Sequence, residues 1–150
     1  MDTGETAGNV LEFMGKDHDR LDKLFKRFKD LKIVDTRKAA SLFSNFRTGL
    51  QRHIAWEEEI LFPLFETKTG MRQTGPTAVM RTEHRQIKGF LERIHIKISA
   101  GETGGLDALE KDLVEVLSAH NEKEENVLYP WIDDSLSGIE MEDVLSRMKD

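Results

Sequence analysis

Four histidines stand within stretches whose apolar residues recur at helical spacing: His18, His53, His84 and His120. Two of them open the same motif. His53-Ile54-Ala55-Trp56-Glu57-Glu58-Glu59-Ile60-Leu61-Phe62-Pro63 and His120-Asn121-Glu122-Lys123-Glu124-Glu125-Asn126-Val127-Leu128-Tyr129-Pro130 both read H-x-x-x-E-E-x-x-L-[F/Y]-P, offset by 67 residues. The other two also match. Asp17-His18 corresponds to Glu83-His84 at an offset of 66 residues, with Met14 and Met80 four residues earlier and Leu21 and Ile87 three residues later. The chain therefore reads as a duplicated helix hairpin. Each half supplies one lone His and one His-x-x-x-Glu. Residues four apart on a helix share a face, so His53 with Glu57, and His120 with Glu124, can reach one centre together. A single His on an apolar face is ordinarily a core or boundary residue. Four of them, one per helix and in register, point instead to metal ligation. Coordination also removes the cost of burying so many unpaired polar groups.

The donor set narrows the metal. Four imidazoles and two carboxylates exceed one tetrahedral zinc and are too nitrogen-rich for calcium or magnesium. A dinuclear site fits the count, with two histidines per metal and two bridging carboxylates. Such a set suits iron, with manganese and zinc as possible substitutes. The chain has no cysteine, which excludes disulfides, thiolate metal sites, Cys-ligated iron–sulfur clusters and Cys nucleophiles.

Helices must position these groups. The first is expected from about Asn9 to Asp30, capped by Asn9, with Leu11, Met14, His18, Leu21, Phe25 and Phe28 on one face. The second starts after Asp35 or Thr36 and should end or kink at Pro63. Thr67 to Pro76 reads as a loop. The third runs from about Thr77 to Ala100 with Met80, His84, Ile87, Leu91, Ile94 and Ile98 in line, and Gly101 is its stop signal. The fourth runs from about Leu106 to Asp133, its last turn broken by Pro130. Ser137 and Glu140 form a capping box for a short fifth helix, which Ile139, Val144, Leu145 and Met148 would dock. The expected fold is all-α: an up-down-up-down four-helix bundle with a short C-terminal fifth helix.

Bulk properties agree. The 150 residues suit one domain, 1–150, with a core large enough to need no staples. Charged residues make up 33% of the chain and aromatics 7%, as amphipathic helices with solvated outer faces require. A net charge of −6, with no dense basic run, disfavours nucleic acid and anionic membranes as partners. The polar first ten residues are no signal peptide, and no apolar run approaches a membrane span, so cytoplasmic residence is expected.

The constellation resembles the hemerythrin-like family, also called the HHE cation-binding domain, over roughly Val10 to Pro130. That resemblance implies a non-haem di-iron centre with a bridging oxo or hydroxo oxygen. It makes His18, His53, His84 and His120 the iron ligands and Glu57 and Glu124 the bridging carboxylates. Two departures stand out. Oxygen carriers of the family have H-x-x-x-H in the third helix, where this chain has Lys88. They also place the last carboxylate five residues after its His, which would select Glu125. Lys88 should share the metal-facing side of its helix, leaving one iron without a third imidazole and reversible O₂ carriage poor. His95 is read as structural or surface, not a ligand, and Trp56, Phe62, Tyr129 and Trp131 as core. Tyr129 would reach the metals only if the helix end folds inward. The expected function is a di-iron protein that binds or senses a small ligand: O₂, peroxide or nitric oxide. The alternatives are peroxide or NO reduction, iron donation to damaged Fe–S clusters, iron storage, and a metal-free bundle used for interaction.

Overall fold

A computed structural model describes residues 8–149; residues 1–7 of the polar leader and Asp150 lie outside the described residues. The elements are α1 (Val10–Leu31), α2 (Thr36–Trp56), α3 (Phe62–Thr69), α4 (Pro76–Ser99), α5 (Leu106–Lys123), α6 (Tyr129–Ser135) and α7 (Gly138–Met148). α2 runs into α3, and α5 into α6, through single π-helical turns at Glu57–Leu61 and Glu124–Leu128. The long rods are thus α1, α2–α3, α4 and α5–α6, an up-down-up-down bundle with α7 as the short fifth helix. α1 lies chiefly on α2 and α4 chiefly on α5, while α2 meets α4 and α1 meets α6.

The ends of the helices are well satisfied. Asn9 accepts a hydrogen bond from the Glu12 N–H at 2.9 Å. The Asp133 carboxylate accepts two more first-turn donors of α1, from Val10 at 2.7 Å and Leu11 at 3.2 Å. Helix starts leave such donors without intrahelical partners, so this contact ties α6 to the beginning of the chain. Asp35 caps α2, and the Ser137–Glu140 capping box forms as the sequence predicts. Gly105 precedes α5 at φ 77°, a left-handed conformation that favours glycine.

Two expectations need correction. Residues 67–69 continue α3 rather than opening the loop, while at Pro63 the helix is disturbed, not ended. A proline ring clashes with the carbonyl four residues back and removes a donor. The π turn accommodates this by widening the ladder: the Phe62 N–H bonds the Glu57 carbonyl, and the Tyr129 N–H bonds the Glu124 carbonyl ahead of Pro130. Ile139 does not dock α7, since it is 81% exposed; Val144, Leu145 and Met148 do that work.

Two apolar clusters fill the bundle. One holds Leu21, Phe25, Phe43, Phe46, Leu50, Ile54, Ile87, Leu91, Leu113 and Leu117. The other holds Val10, Met14, Leu61, Phe62, Met80, Leu128, Tyr129 and the α7 residues. On α1, α4 and α5–α6 the change from one cluster to the other falls at the histidine, and on α2–α3 it falls at Glu57, between Ile54 and Leu61. A buried polar layer therefore separates the two cores. Among the described residues, two further buried carboxylates lie outside that layer. Glu66 accepts from Thr77 Oγ1 at 2.7 Å and from Arg81, and Glu110 accepts from Lys32 at 2.7 Å.

Candidate metal centre

His18 sits on α1 and His53 in the last turn of α2. His84 is on α4, and His120 is in the last turn of α5. Glu57 and Glu124 each begin a π turn. All six are buried, none more than 2% exposed. Their inward atoms converge into two overlapping groups, Glu57–His84–His120–Glu124 and His18–His53–Glu124, within each of which the ligand-type atoms lie within 4.8 Å of one another. Glu124 belongs to both.

A carboxylate stands behind every imidazole. His53 Nδ1 donates to Asp17 at 2.9 Å, and His120 Nδ1 donates to Glu83 at 2.8 Å. His84 Nδ1 donates to Glu58 and His18 Nδ1 to Glu125, both at 2.6 Å. These bonds place the N–H on Nδ1 and turn each Nε2 lone pair inward. The lone pairs then face carboxylate oxygens. His84 Nε2 is 2.9 Å from Glu57 Oε1, His18 Nε2 is 3.1 Å from Glu124 Oε1, and His120 Nε2 is 3.2 Å from Glu124 Oε2. Acceptor facing acceptor is stable only with protons or cations between them. Glu124 Oε2 is buried and has no hydrogen-bond partner. The donor set thus fits divalent or trivalent metal ions well, and imidazole with carboxylate suits iron.

The electrostatics describe the same demand. Burial disfavours the charged forms of His18 and His120. Hydrogen bonds to Glu124 and its charge, with help from Glu57, outweigh this and hold both near pKa 9. His84 is likewise raised, burial being overcome by Glu57 and Glu58. Burial and then the charge of Glu124 raise Glu57. Burial opposes ionisation of Glu124 too, but Glu57, His120 and His18 beside it outweigh this and keep it ionised. Protons occupy the place that metal charge would take.

Of the four carboxylates behind the imidazoles, the sequence offers only Glu125 as a candidate, and that as a rival ligand; none is expected to support a ring, yet their signal is there. Each is the acidic partner in a doublet of the repeat: Asp17-His18, Glu83-His84, Glu57-Glu58 and Glu124-Glu125. Glu125 stands outside the inner cluster, with its carboxylate against His18 Nδ1 and its side chain 40% exposed. Lys88 is exposed, contrary to the expectation that it shares the centre's side of α4; Ile87 takes the inward position. His95 belongs to neither group. Tyr129 departs most from its reading as plain core. Its hydroxyl donates to Glu57 Oε2 at 2.6 Å and lies 2.9 Å from Glu124 Oε1. It is also 3.1 Å from His53 Nε2 and 3.4 Å from His18 Nε2. Burial and the two glutamates push its pKa well above 10. Phe62, its counterpart in the first half, stacks on His84 with ring centroids 5.8 Å apart.

Known proteins resemble the chain in sequence. The chain is 30% identical over 139 residues to an iron-sulfur cluster repair protein YtfE of Edwardsiella ictaluri, covering 81% of this chain and 61% of that protein. It is 29% identical over 122 residues to an uncharacterized hemerythrin-like protein of Schizosaccharomyces pombe, covering 81% of this chain and 58% of that protein. A YtfE protein of Salmonella paratyphi B is 32% identical over 93 residues, 54% of this chain and 40% of its own. The chain thus spans about three fifths or less of these relatives' length. No solved structure matches. The hemerythrin HHE cation binding domain matches residues 9–132, from the cap of α1 into α6, just past the second duplicated motif. With that match over most of its length and a buried cluster of histidines and glutamates at its centre, the chain belongs to the hemerythrin HHE cation-binding domain family.

Proposed function

We propose that this is a non-haem di-iron protein whose buried centre binds or senses a small ligand: O₂, peroxide or nitric oxide. The observation that carries this reading is the shared carboxylate. Glu124 presents one oxygen to His18 and the other to His120, the arrangement that lets one side chain join two ions. In this reading His84 and His120 would hold one iron and His18 and His53 the other. Glu57, expected from sequence to bridge, is grouped with the first pair, and Glu124 would serve both. Iron supplies an open coordination position and redox chemistry when bound. The chain's own residues orient the imidazoles, neutralise charge and exclude water. The donors are buried between two apolar cores, which favours diatomic molecules or peroxide over larger substrates. A groove between α1 and α5, lined by Phe25, Leu117, Asn121 and Glu125, reaches the Glu125 carboxylate that backs His18.

Iron loading of the full chain tests this. Elemental analysis should return two iron ions per chain, with manganese or zinc as weaker substitutes. Absorption changes on adding NO, O₂ or peroxide should follow. One metal at saturation would overturn the dinuclear reading. The likeness to iron-sulfur cluster repair proteins favours a second reading, in which the centre passes iron to damaged clusters. Transfer of labelled iron to an apo cluster protein would separate the two.

The carboxylates behind the imidazoles should matter nearly as much as the ligands. Glu83→Ala removes the acceptor for His120 Nδ1 and frees the ring to turn. Metal affinity should fall about 10–100-fold, as for other residues that orient metal-bound histidines. Competition with a calibrated chelator measures it, and unchanged affinity would refute the orienting role.

A further inference from the structure

The duplicated halves differ most sharply at one inward-facing position. Phe62 and Tyr129 occupy equivalent places in H-x-x-x-E-E-x-x-L-[F/Y]-P, yet only the tyrosine carries an oxygen. Tyr129 follows His120 by nine residues, which on a regular α-helix is half a turn out of phase with His120. The π turn at Glu124–Leu128 adds a residue to the ladder and swings Tyr129 inward. Its ring is fully buried, and its hydroxyl stands in the polar layer.

The distances are those of a ligand. Metal–nitrogen and metal–oxygen bonds of about 2.1 Å put neighbouring ligands of an octahedral ion about 3.0 Å apart. Tyr129 Oη lies 2.6 Å from Glu57 Oε2, 2.9 Å from Glu124 Oε1, 3.1 Å from His53 Nε2 and 3.4 Å from His18 Nε2. It is therefore adjacent to four donor atoms at once, among them both imidazoles of the His18–His53 side. That side needs a donor more than the other, because its cluster has three residues where the other has four. We propose that Tyr129 is a ligand of the metal held by His18 and His53, coordinating Fe(III) as a phenolate. The inference rests on the metal-centre reading above. In forming the bond, the phenol O–H is replaced by Fe(III)–O and the proton leaves to solvent water. The two irons then differ: one has only imidazole and carboxylate, and the other has a phenolate in addition.

The test is spectroscopic. Tyr129 is the only tyrosine in the chain, so any tyrosinate signal belongs to it. The full chain is loaded with Fe(II), oxidised to Fe(III), and examined by elemental analysis, visible absorption and resonance Raman scattering. The expected result is a visible tyrosinate-to-Fe(III) charge-transfer band with enhanced phenolate ring modes. Tyr129→Phe should lose the band while retaining iron. Iron-loaded wild-type protein without the band would overturn the proposal and leave the metal centre standing. Failure to bind iron at all would overturn both. Because the wild-type spectrum decides alone, a misfolded variant leaves no ambiguity.

Discussion

Glu124→Ala should strip metal from both halves of the centre, whereas Glu57→Ala should chiefly affect one. Glu124 is the only residue common to the two donor groups, with Oε1 3.1 Å from His18 Nε2 and Oε2 3.2 Å from His120 Nε2. Removing it takes a ligand from each position and leaves four imidazoles converging with one carboxylate between them. Glu125→Ala makes the informative contrast. Its carboxylate holds His18 from behind, so its loss should weaken one position about 10–100-fold, without emptying both. Iron per chain after desalting, measured side by side for the variants, gives the ranking. If Glu125→Ala empties the centre and Glu124→Ala does not, the five-residue spacing of oxygen carriers applies and the assignment of Glu124 is wrong.

The second large effect is on stability, and it depends on pH. Ligands that bind only the folded chain stabilise it by mass action, about 2.7 kcal/mol for each site at one hundred times its Kd. Two such sites, at about 2–4 °C per kcal/mol for a chain of this size, make chelation lower Tm by roughly 10–20 °C. The metal-free chain should have its own pH trend. His18 and His120 rise from 6.5 to about 9 on folding, through their contacts with the glutamates. A raised pKa stabilises the fold fully below the unfolded value, and the contribution is lost as pH climbs through the folded value. Metal-free protein should therefore melt progressively lower between pH 6.5 and pH 9. Metal binding requires those same histidines deprotonated, so it strengthens over that window. The gap between loaded and metal-free protein should widen as pH rises. Equal melting temperatures throughout would refute a metal that stabilises the fold.

Much of this was readable from the amino acids because the relevant signals are local. The apolar stripes of α1 and α4 are regular, the Asn9, Asp35 and Ser137 caps lie where short polar residues precede those stripes, and the repeat aligns the histidines. What escaped was everything set by hydrogen-bond register. Pro63 and Pro130 announce a disturbance, but not whether a helix stops, bends or widens; that choice depends on what packs around it. The π turns decided Tyr129, whose spacing from His120 says outward on a regular helix and whose position says inward. Lys88 shows the opposite error. A residue one turn from His84 shares its face only to within about 40°, and packing gave the inner edge to Ile87 instead.

The crossing of the orienting carboxylates has a consequence for how such a chain could arise. Asp17 and Glu83 serve a histidine of their own hairpin, while Glu58 and Glu125 reach over to a histidine of the other. One hairpin alone leaves its lone histidine without support, and its own Glu58-type carboxylate without a ring to hold. Two identical copies docked about a two-fold axis would satisfy every such pair, as in a symmetric homodimer. Joining the copies end to end keeps that geometry and removes its constraint. In a homodimer the residue after the leucine must be the same on both sides, whereas a fused chain can place Phe62 on one side and Tyr129 on the other. Gene fusion, on this view, is what allows two metal positions built from one plan to acquire different chemistry.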